Sequence, residues 1–146
     1  MKRIGYIWEK IIDKENIKTA ILLASKHKKK KRIVKKVLDN IDFYVDEIYN
    51  MLYNKTYIPS PYLERGVKDN KRKERKISAP RWYPDTCIQW SIMLQLEKVL
   101  YRGLYENSCG NIKGRGVSYG KRYIEKVIKR NYKRTKYTLK MDIKKY

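Results

Sequence analysis

Acidic residues, histidine and cysteine are all scarce in this chain, and each shortage narrows the chemistry available to it. The 146 residues include 15 Asp and Glu against 37 Lys and Arg, so the formal net charge is +22. The single histidine, His27, excludes a histidine-based metal centre or a Ser/His triad elsewhere in the chain. Two cysteines, Cys87 and Cys109, cannot form a disulfide framework or a four-cysteine metal site. These absences disfavour most hydrolase chemistries.

Long apolar runs are also missing. No stretch approaches the roughly 20 apolar residues of a membrane span. The residues from Met1 to Tyr6 carry charge but no apolar segment of the kind found in signal peptides. We therefore expect a cytoplasmic protein with no membrane partner. Hydrophobic residues still make up 42% of the chain, which is enough to bury a core.

Positive charge is concentrated in particular segments. Between Lys121 and Lys140 there are nine basic residues and one acidic residue. Such a surface repels itself unless a counter-charge binds to it, and nucleic acid is the commonest counter-charge. We expect nucleic acid in preference to an anionic membrane or an acidic protein. The run from Lys26 to Arg32 is either a patch that binds the nucleic-acid backbone or a solvated loop.

Hydrophobic periodicity predicts an α+β fold, with an N-terminal helical region over residues 1–54 and a mixed region over residues 55–146. The predicted helices span Glu9–Lys26, Arg32–Tyr53, Asp85–Gly103 and Val117–Arg130. The predicted strands are Tyr62–Val67 and Arg72–Ser78, which form a hairpin, and Tyr137–Ile143. We expect Asp85 to cap its helix, Trp90 to lie in the core, and Trp82 and Tyr83 to stack on bases.

Asp142 is the candidate metal ligand. Strand alternation places it on a polar face with Lys140 beside it. A carboxylate at the end of a strand can hold Mg²⁺ opposite phosphates, although a surface aspartate that offsets nearby lysines has the same pattern. Two-metal phosphoryl transfer needs at least one further carboxylate.

Two other segments are candidate phosphate sites. In the hairpin, alternation places Lys73 and Arg75 on one face, where they could grip a triphosphate or simply keep an edge strand soluble. The second segment is a glycine-punctuated basic loop before a helix. Its candidate residues are Gly110, Lys113, Gly114, Arg115 and Gly116. Exposed amides at a helix N-terminus suit phosphate, but the spacing is not that of a P-loop, and an ordinary turn would have the same composition.

Four segments, taken in order, resemble motifs of prokaryotic reverse transcriptases of the group II intron, retron, diversity-generating and phage-defence types. Arg75–Pro80 resembles R-x-I-x-x-P, and Asp85–Gln89 resembles D-R-V-V-Q. Ser108–Gly116 resembles S-Y-G-x-R-x-G-R-G, and Tyr137–Tyr146 resembles Y-x-L-K-x-D-I-K-x-F-F. The residues Thr86, Cys109 and Ile112 depart from those usual in the family. The resemblance covers residues 55–146, and residues 1–54 fit only as variable N-terminal helices.

The resemblance implies the fingers and an incomplete palm of a right-hand polymerase. Asp142 would be the first catalytic aspartate and bind Mg²⁺, while Arg75 and Lys73 would contact the triphosphate of the incoming dNTP. The loop from Gly110 to Gly116 would border the nucleotide or the template. The partners would be an RNA template and a DNA primer, or the RNA–DNA duplex that they form.

The Y-x-D-D hairpin of the family is missing from the sequence, as are the rest of the palm and the thumb. We therefore expect an N-terminal fragment that is truncated after the first catalytic aspartate and does not polymerise alone. The alternatives are a non-catalytic basic module that binds RNA or DNA, and a ribosome-associated basic protein, against which the ordered motifs argue.

Overall fold

Six helices and one antiparallel hairpin make up the regular structure of the described residues, which are 4–68 and 74–142 of the computed structural model. The helices are α1 (Ile7–Ile12), α2 (Lys14–Ser25), α3 (Arg32–Asp39), α4 (Ile41–Tyr53), α5 (Cys87–Tyr101) and α6 (Val117–Arg130). The strands are β1 (Leu63–Lys68) and β2 (Glu74–Ala79). The α+β class is therefore confirmed. The chain divides into a first unit, Met1–Arg102, and a second unit, Gly103–Tyr146.

Each of the two long helices predicted near the N-terminus is a pair of shorter helices, so the prediction of continuous helices was wrong. The break between α1 and α2 lies at Asp13, whose ψ of 130° is not helical and whose carboxylate accepts a hydrogen bond from the Asn16 amide at 3.1 Å. The break between α3 and α4 lies at Asn40, with φ −132° and ψ 48°. Short Asp and Asn side chains bond to nearby backbone and so favour helix ends over helix interiors.

The core of the first unit forms where α2, α4 and α5 meet. Ile17 and Ile21 of α2, Ile48 of α4 and Ile88 of α5 are among its most completely buried side chains. The apolar positions of the first two predicted helical regions therefore face the core, and those of α5 do so at Ile88 and Ile92. Trp90 does not, because its side chain is 40% exposed, and the prediction that it lies in the core was wrong.

A buried polar cluster ties three helices together. The Asn16 side-chain amide donates to Ser91 Oγ at 2.8 Å, and the Ser91 hydroxyl donates to the Ile11 carbonyl at 2.6 Å. The Gln95 side-chain amide donates to the side-chain oxygen of Asn16, Oδ1, at 2.6 Å. Because these groups bond to one another, the hydroxyl of the fully buried Ser91 has hydrogen-bond partners in place of water.

Asp85 fixes the segment that leads into β1. Its side chain is buried, and Oδ1 accepts hydrogen bonds from the Tyr57 hydroxyl at 2.6 Å and from the Ser60 amide at 3.2 Å. Oδ2 is also buried and has no hydrogen-bond partner among the described residues. Asp85 is therefore a tether between distant segments, and the prediction that it caps α5 was wrong: Thr86 precedes that helix.

The hairpin is a two-stranded antiparallel sheet. Leu63 pairs with Ala79 at one end and Lys68 pairs with Glu74 at the other. The bounds of β1 and the end of β2 agree with the predicted bounds to within one residue. The predicted start of the second strand lies before Glu74, outside the described residues. Almost every strand residue is exposed.

The second unit contains α6, as predicted, but the described residues 103–142 include no buried side chain. Residues 137–142 form no strand, which corrects the prediction for Tyr137–Ile143; Ile143 lies outside the described residues. A strand needs a partner for its backbone groups, and these residues pair with none. The alternating residues Tyr137, Leu139 and Met141 are 94%, 80% and 81% exposed.

No helix in the described ranges combines the length and the apolar character that crossing a bilayer requires.

The core predicts a large loss of stability for Ile48→Ala. The side chain is 0% exposed, so its truncation removes buried apolar surface and leaves a cavity, at a cost of about 2–5 kcal/mol. Ile58→Ala is the matched control, because Ile58 is 83% exposed. Urea denaturation measures both free energies of unfolding, and similar losses for the two variants would contradict the assignment of the core.

The tether predicts that Asp85→Asn destabilises the fold in a pH-dependent way. Burial raises the pKa of Asp85, but the hydrogen bonds from Tyr57 and Ser60 outweigh burial and hold the pKa below its ordinary value of 3.8. The charged carboxylate therefore stabilises the fold above that value, and this stabilisation is lost as the pH falls towards the lower pKa of the folded state. Asparagine also places a donor at the unpartnered Oδ2 position, at a cost of about 1–3 kcal/mol near neutral pH.

Denaturation of wild type and Asp85→Asn from pH 7 to pH 3 checks this prediction. We expect the difference between them to shrink as the pH falls below about 4, where the Asp85 carboxylate of the unfolded chain begins to protonate while that of the folded chain is still charged. Asp39→Asn serves as the control because Asp39 is exposed. A difference that is constant with pH would contradict a role for the charge.

Candidate nucleic-acid and nucleotide interface

The register of the hairpin places two arginines on one face. Arg65 pairs with Ile77, and Val67 pairs with Arg75. Because side chains two residues apart on a strand share a face, Arg65 and Arg75 lie on the same side as diagonal neighbours, roughly 7–8 Å apart at their Cα atoms. Arg65 was missed by the sequence reasoning, since the cross-strand register depends on the turn and cannot be read from either strand alone.

The two faces of the hairpin differ in charge. The arginine face, made of Leu63, Arg65, Val67, Arg75, Ile77 and Ala79, holds no acidic residue among its paired positions. The opposite face carries Lys68 paired with Glu74, together with Lys76 and Glu64. Cations and carboxylates therefore alternate on that face, whereas the paired positions of the arginine face hold two guanidiniums and no carboxylate. Lys73, which the sequence places beside Arg75, lies outside the described residues.

Trp82 and Tyr83 were predicted to stack on bases, and their polar groups are instead engaged within the protein. The Trp82 indole N–H donates to the Ala24 carbonyl at 3.0 Å. The Tyr83 hydroxyl donates to Glu47 at 2.8 Å. Burial is the main cause of the raised pKa of Tyr83, and the hydrogen bond to the Glu47 carboxylate raises it further. Both rings pack against the core. The nearby Cys87 thiol is buried, and burial raises its pKa to about 12, which disfavours the reactive thiolate.

The glycine loop of the second unit is a folded turn before α6. The Arg115 amide donates to the Ile112 carbonyl at 3.0 Å, and Gly114 adopts φ +80°. A positive φ at this position is typical of a type II turn and favours glycine. The Arg115 guanidinium donates to the Glu106 carbonyl at 2.8 Å, which fastens the loop to the preceding segment.

Within this loop, Lys113 is the exposed cation, whereas Arg115 is half-buried and bonded. Gly116 precedes α6 in an extended conformation, and Gly110 is exposed. The loop therefore offers one exposed lysine and backbone amides next to a helix N-terminus. That arrangement is compatible with phosphate binding, although the hydrogen bonds within the loop are also those of an ordinary turn.

Helix α6 adds a basic face to the second unit. A shallow cavity of about 470 Å³ is lined by Arg122, Glu125, Lys126, Lys129 and Arg130. Four of these five side chains are cationic. The face is suited to an anionic backbone, since cations spaced along a helix contact successive phosphates without reading sequence.

Asp142 is exposed, in the segment that forms no strand. In residues 4–68 and 74–142, no three His, Cys, Asp or Glu side chains come close enough together to hold a metal ion. The residues predicted for nucleotide binding and for metal binding lie in different units, Arg75 in the first and Asp142 in the second.

Comparison with known proteins identifies no family for this chain. A scan against protein-family models finds no match to the chain, and a search of curated proteins finds none either.

Proposed function

We propose that this chain forms the fingers and the first part of the palm of a prokaryotic RNA-directed DNA polymerase. The observation that supports the proposal best is the register of the hairpin, which places Arg65 and Arg75 on one face with no acidic residue among the paired positions of that face. The motif-like segments also follow one another as β2, the turn into α5, the loop before α6 and the terminal segment. This order is the one that the resemblance to reverse transcriptases implies.

The hairpin would contact the triphosphate of an incoming dNTP. A guanidinium offers paired N–H groups that match phosphate oxygens, and charge-assisted hydrogen bonds of this kind are stronger than neutral ones. Two arginines on one face could engage neighbouring phosphates of the same nucleotide. Tethering of the segment before β1 through Asp85 would hold β1 in place during this contact.

Asp142 would contribute one carboxylate to the catalytic centre. Mg²⁺, when bound in such a centre, activates the attacking hydroxyl and stabilises the leaving pyrophosphate. The remaining carboxylates would have to come from residues outside the described part or from another chain. We therefore expect the 146-residue chain alone to bind nucleic acid without extending a primer.

A non-catalytic basic module that binds RNA or DNA is the second candidate. It is favoured by the exposure of Asp142 and by the lack of converging carboxylates in the described ranges. This candidate predicts salt-dependent binding that is indifferent to Mg²⁺, to dNTP and to Asp142.

The arginine face predicts a selective loss of nucleotide binding. We expect Arg65→Gln/Arg75→Gln to weaken dNTP binding by about tenfold or more, because each lost charge-assisted hydrogen bond is worth roughly 1.5–3 kcal/mol. The matched control is Lys68→Gln/Lys76→Gln, which removes the same charge from the opposite face of the same hairpin. Fluorescence titration with a labelled dNTP measures both, and equal losses would show that only net charge matters.

The catalytic proposal is tested through Asp142. The gene is sequenced past the Tyr146 codon, and the protein encoded by the whole reading frame is assayed for Mg²⁺-dependent dNTP incorporation on an RNA template with a DNA primer. We expect Asp142→Asn to reduce incorporation by at least about a hundredfold, because mutation of the outer-shell partners of metal ligands already costs about 10–100-fold and Asp142 would itself be a ligand.

Lys140→Gln is the control for a charge change beside Asp142. Incorporation that survives Asp142→Asn would remove the catalytic role of Asp142. A reading frame without further carboxylate motifs, combined with no incorporation by wild type, would leave the binding module as the function.

A further inference from the structure

The junction between α2 and α3 carries a dense cluster of cations that the proposed polymerase site does not use. We define this junction patch by its members: Lys26, Lys28, Lys29, Lys30, Lys31, Arg32, Lys35 and Lys36. No acidic residue interrupts the sequence from Lys26 to Leu38. All of these side chains are exposed except that of Lys28, which is half-buried.

The cations of the junction patch have no ion-pair partner among the described residues. By contrast, two lysines of α2 are paired: Lys14 with Asp46 at 2.7 Å and Lys18 with Asp42 at 2.8 Å. Asp42 and Asp46 of α4 are thus engaged by α2, and neither pairs with a cation of the patch. Like charges held this close repel one another, so a bound polyanion would lower the electrostatic free energy of the folded chain.

The backbone beneath the patch is a hydrogen-bonded structure. Trp82 anchors the end of α2 through the Ala24 carbonyl. The Lys28 amide donates to Ser25 and the Lys31 amide donates to Lys28, each at 2.9 Å. Because successive turns hold the backbone in place, binding at this surface would not carry the entropic cost of ordering the main chain.

We propose that the junction patch is a docking surface for the phosphate backbone of double-helical RNA, separate from the arginine face of the hairpin. The choice of RNA rests on the proposed function, in which the template is an RNA strand, and such a strand folds back on itself into A-form helical segments. A shallow depression of about 250 Å³ at the α3 end of the patch is lined by Arg32, Lys35, Lys36, Asp39 and Asn40. Helix α3 has eight residues and is about 12 Å long, which matches about three phosphate charges along one strand of a duplex.

The composition of the patch favours a duplex over a single strand. Proteins that bind single strands without sequence preference stack bases on aromatic side chains, and there is no Phe, Tyr or Trp from Lys26 to Lys36. Paired bases need no such platform, because a duplex presents its phosphates outward.

The patch is also unlike a membrane-binding helix. An interfacial helix buries a broad apolar face in the lipid, whereas Val34 and Val37 of α3 are each 0% exposed in the protein core. Ile33, at 43%, is the exposed large apolar residue of α3.

The experiment measures binding of a mixed-sequence RNA duplex by the whole chain in EDTA, without dNTP, across a salt series. We expect Arg32→Gln/Lys35→Gln/Lys36→Gln to bind at least about tenfold more weakly at 0.1 M salt than wild type. The slope of log K against log salt should become shallower by about 2–3, since each phosphate contact contributes about 0.9. Circular dichroism confirms that the variant is folded.

Two further variants give the comparison its controls. Lys10→Gln/Lys55→Gln/Lys98→Gln removes the same charge from three exposed positions in other parts of the first unit. Arg32→Lys/Lys35→Arg/Lys36→Arg keeps the charge of the patch and should keep binding within about threefold of wild type, as expected for contacts that depend on charge alone.

Several outcomes would overturn the proposal. They are equal losses for the patch variant and the dispersed control, no binding of the RNA duplex by wild type, tighter binding of a DNA duplex of the same sequence, or a patch variant that loses only binding to phosphatidylserine vesicles. The assay needs neither a metal nor Asp142. Its failure is therefore distinct from failure of the polymerase proposal, which is judged by dNTP incorporation.

Discussion

The packing of α2 between α4 and α5 is the interaction on which the rest of the first unit depends. Ile17 and Ile21 contribute the apolar surface, and Asn16 of the same helix bonds to Ser91 on α5. Residues far apart in sequence are thereby brought together, since Asn16 and Ser91 are 75 positions apart. The turn at Trp82 and the tether at Asp85 both rest on this arrangement, and through the tether so does the approach to the hairpin.

Net charge is the constraint that the core must overcome. A chain of +22 repels itself when it folds, and the described ion pairs are few and exposed. Exposed pairs of this kind contribute little to stability, so they do not offset the repulsion. The protein places its cations at the periphery of the core instead, where a bound polyanion would lower the electrostatic cost and stabilise the folded state by mass action.

The sequence predicts helices and the hairpin well where periodicity is long and strong. Helix α6 appears with the predicted bounds, and the strands lie within a residue or two of the expected positions. Periodicity could not reveal the breaks at Asp13 and Asn40, because the apolar stripe continues through both. The role of Asp85 was equally hidden, since a residue before a helix looks like a cap until Tyr57 and Ser60, more than 20 residues away, are seen to donate to it.

The candidate site was predictable only in part, for a related reason. Arg75 could be singled out from its own strand, but Arg65 required the register. The terminal alternation from Tyr137 to Met141 is typical of a strand, yet alternation specifies which side chains share a face and cannot supply the partner that the backbone needs. An apolar pattern in a sequence therefore predicts burial only where the fold provides a surface to pack against.

The two cationic surfaces of the first unit are suited to different parts of one task. The arginine face presents two guanidiniums between aliphatic side chains on a strand, a geometry that favours a compact anion and directional hydrogen bonds. The junction patch consists mostly of lysines spread over a turn and a helix, a geometry that favours an extended anion and tolerates sliding. A protein that must hold a long nucleic acid while selecting one nucleotide needs both kinds of contact, and needs them on separate elements so that binding of the first does not occupy the second.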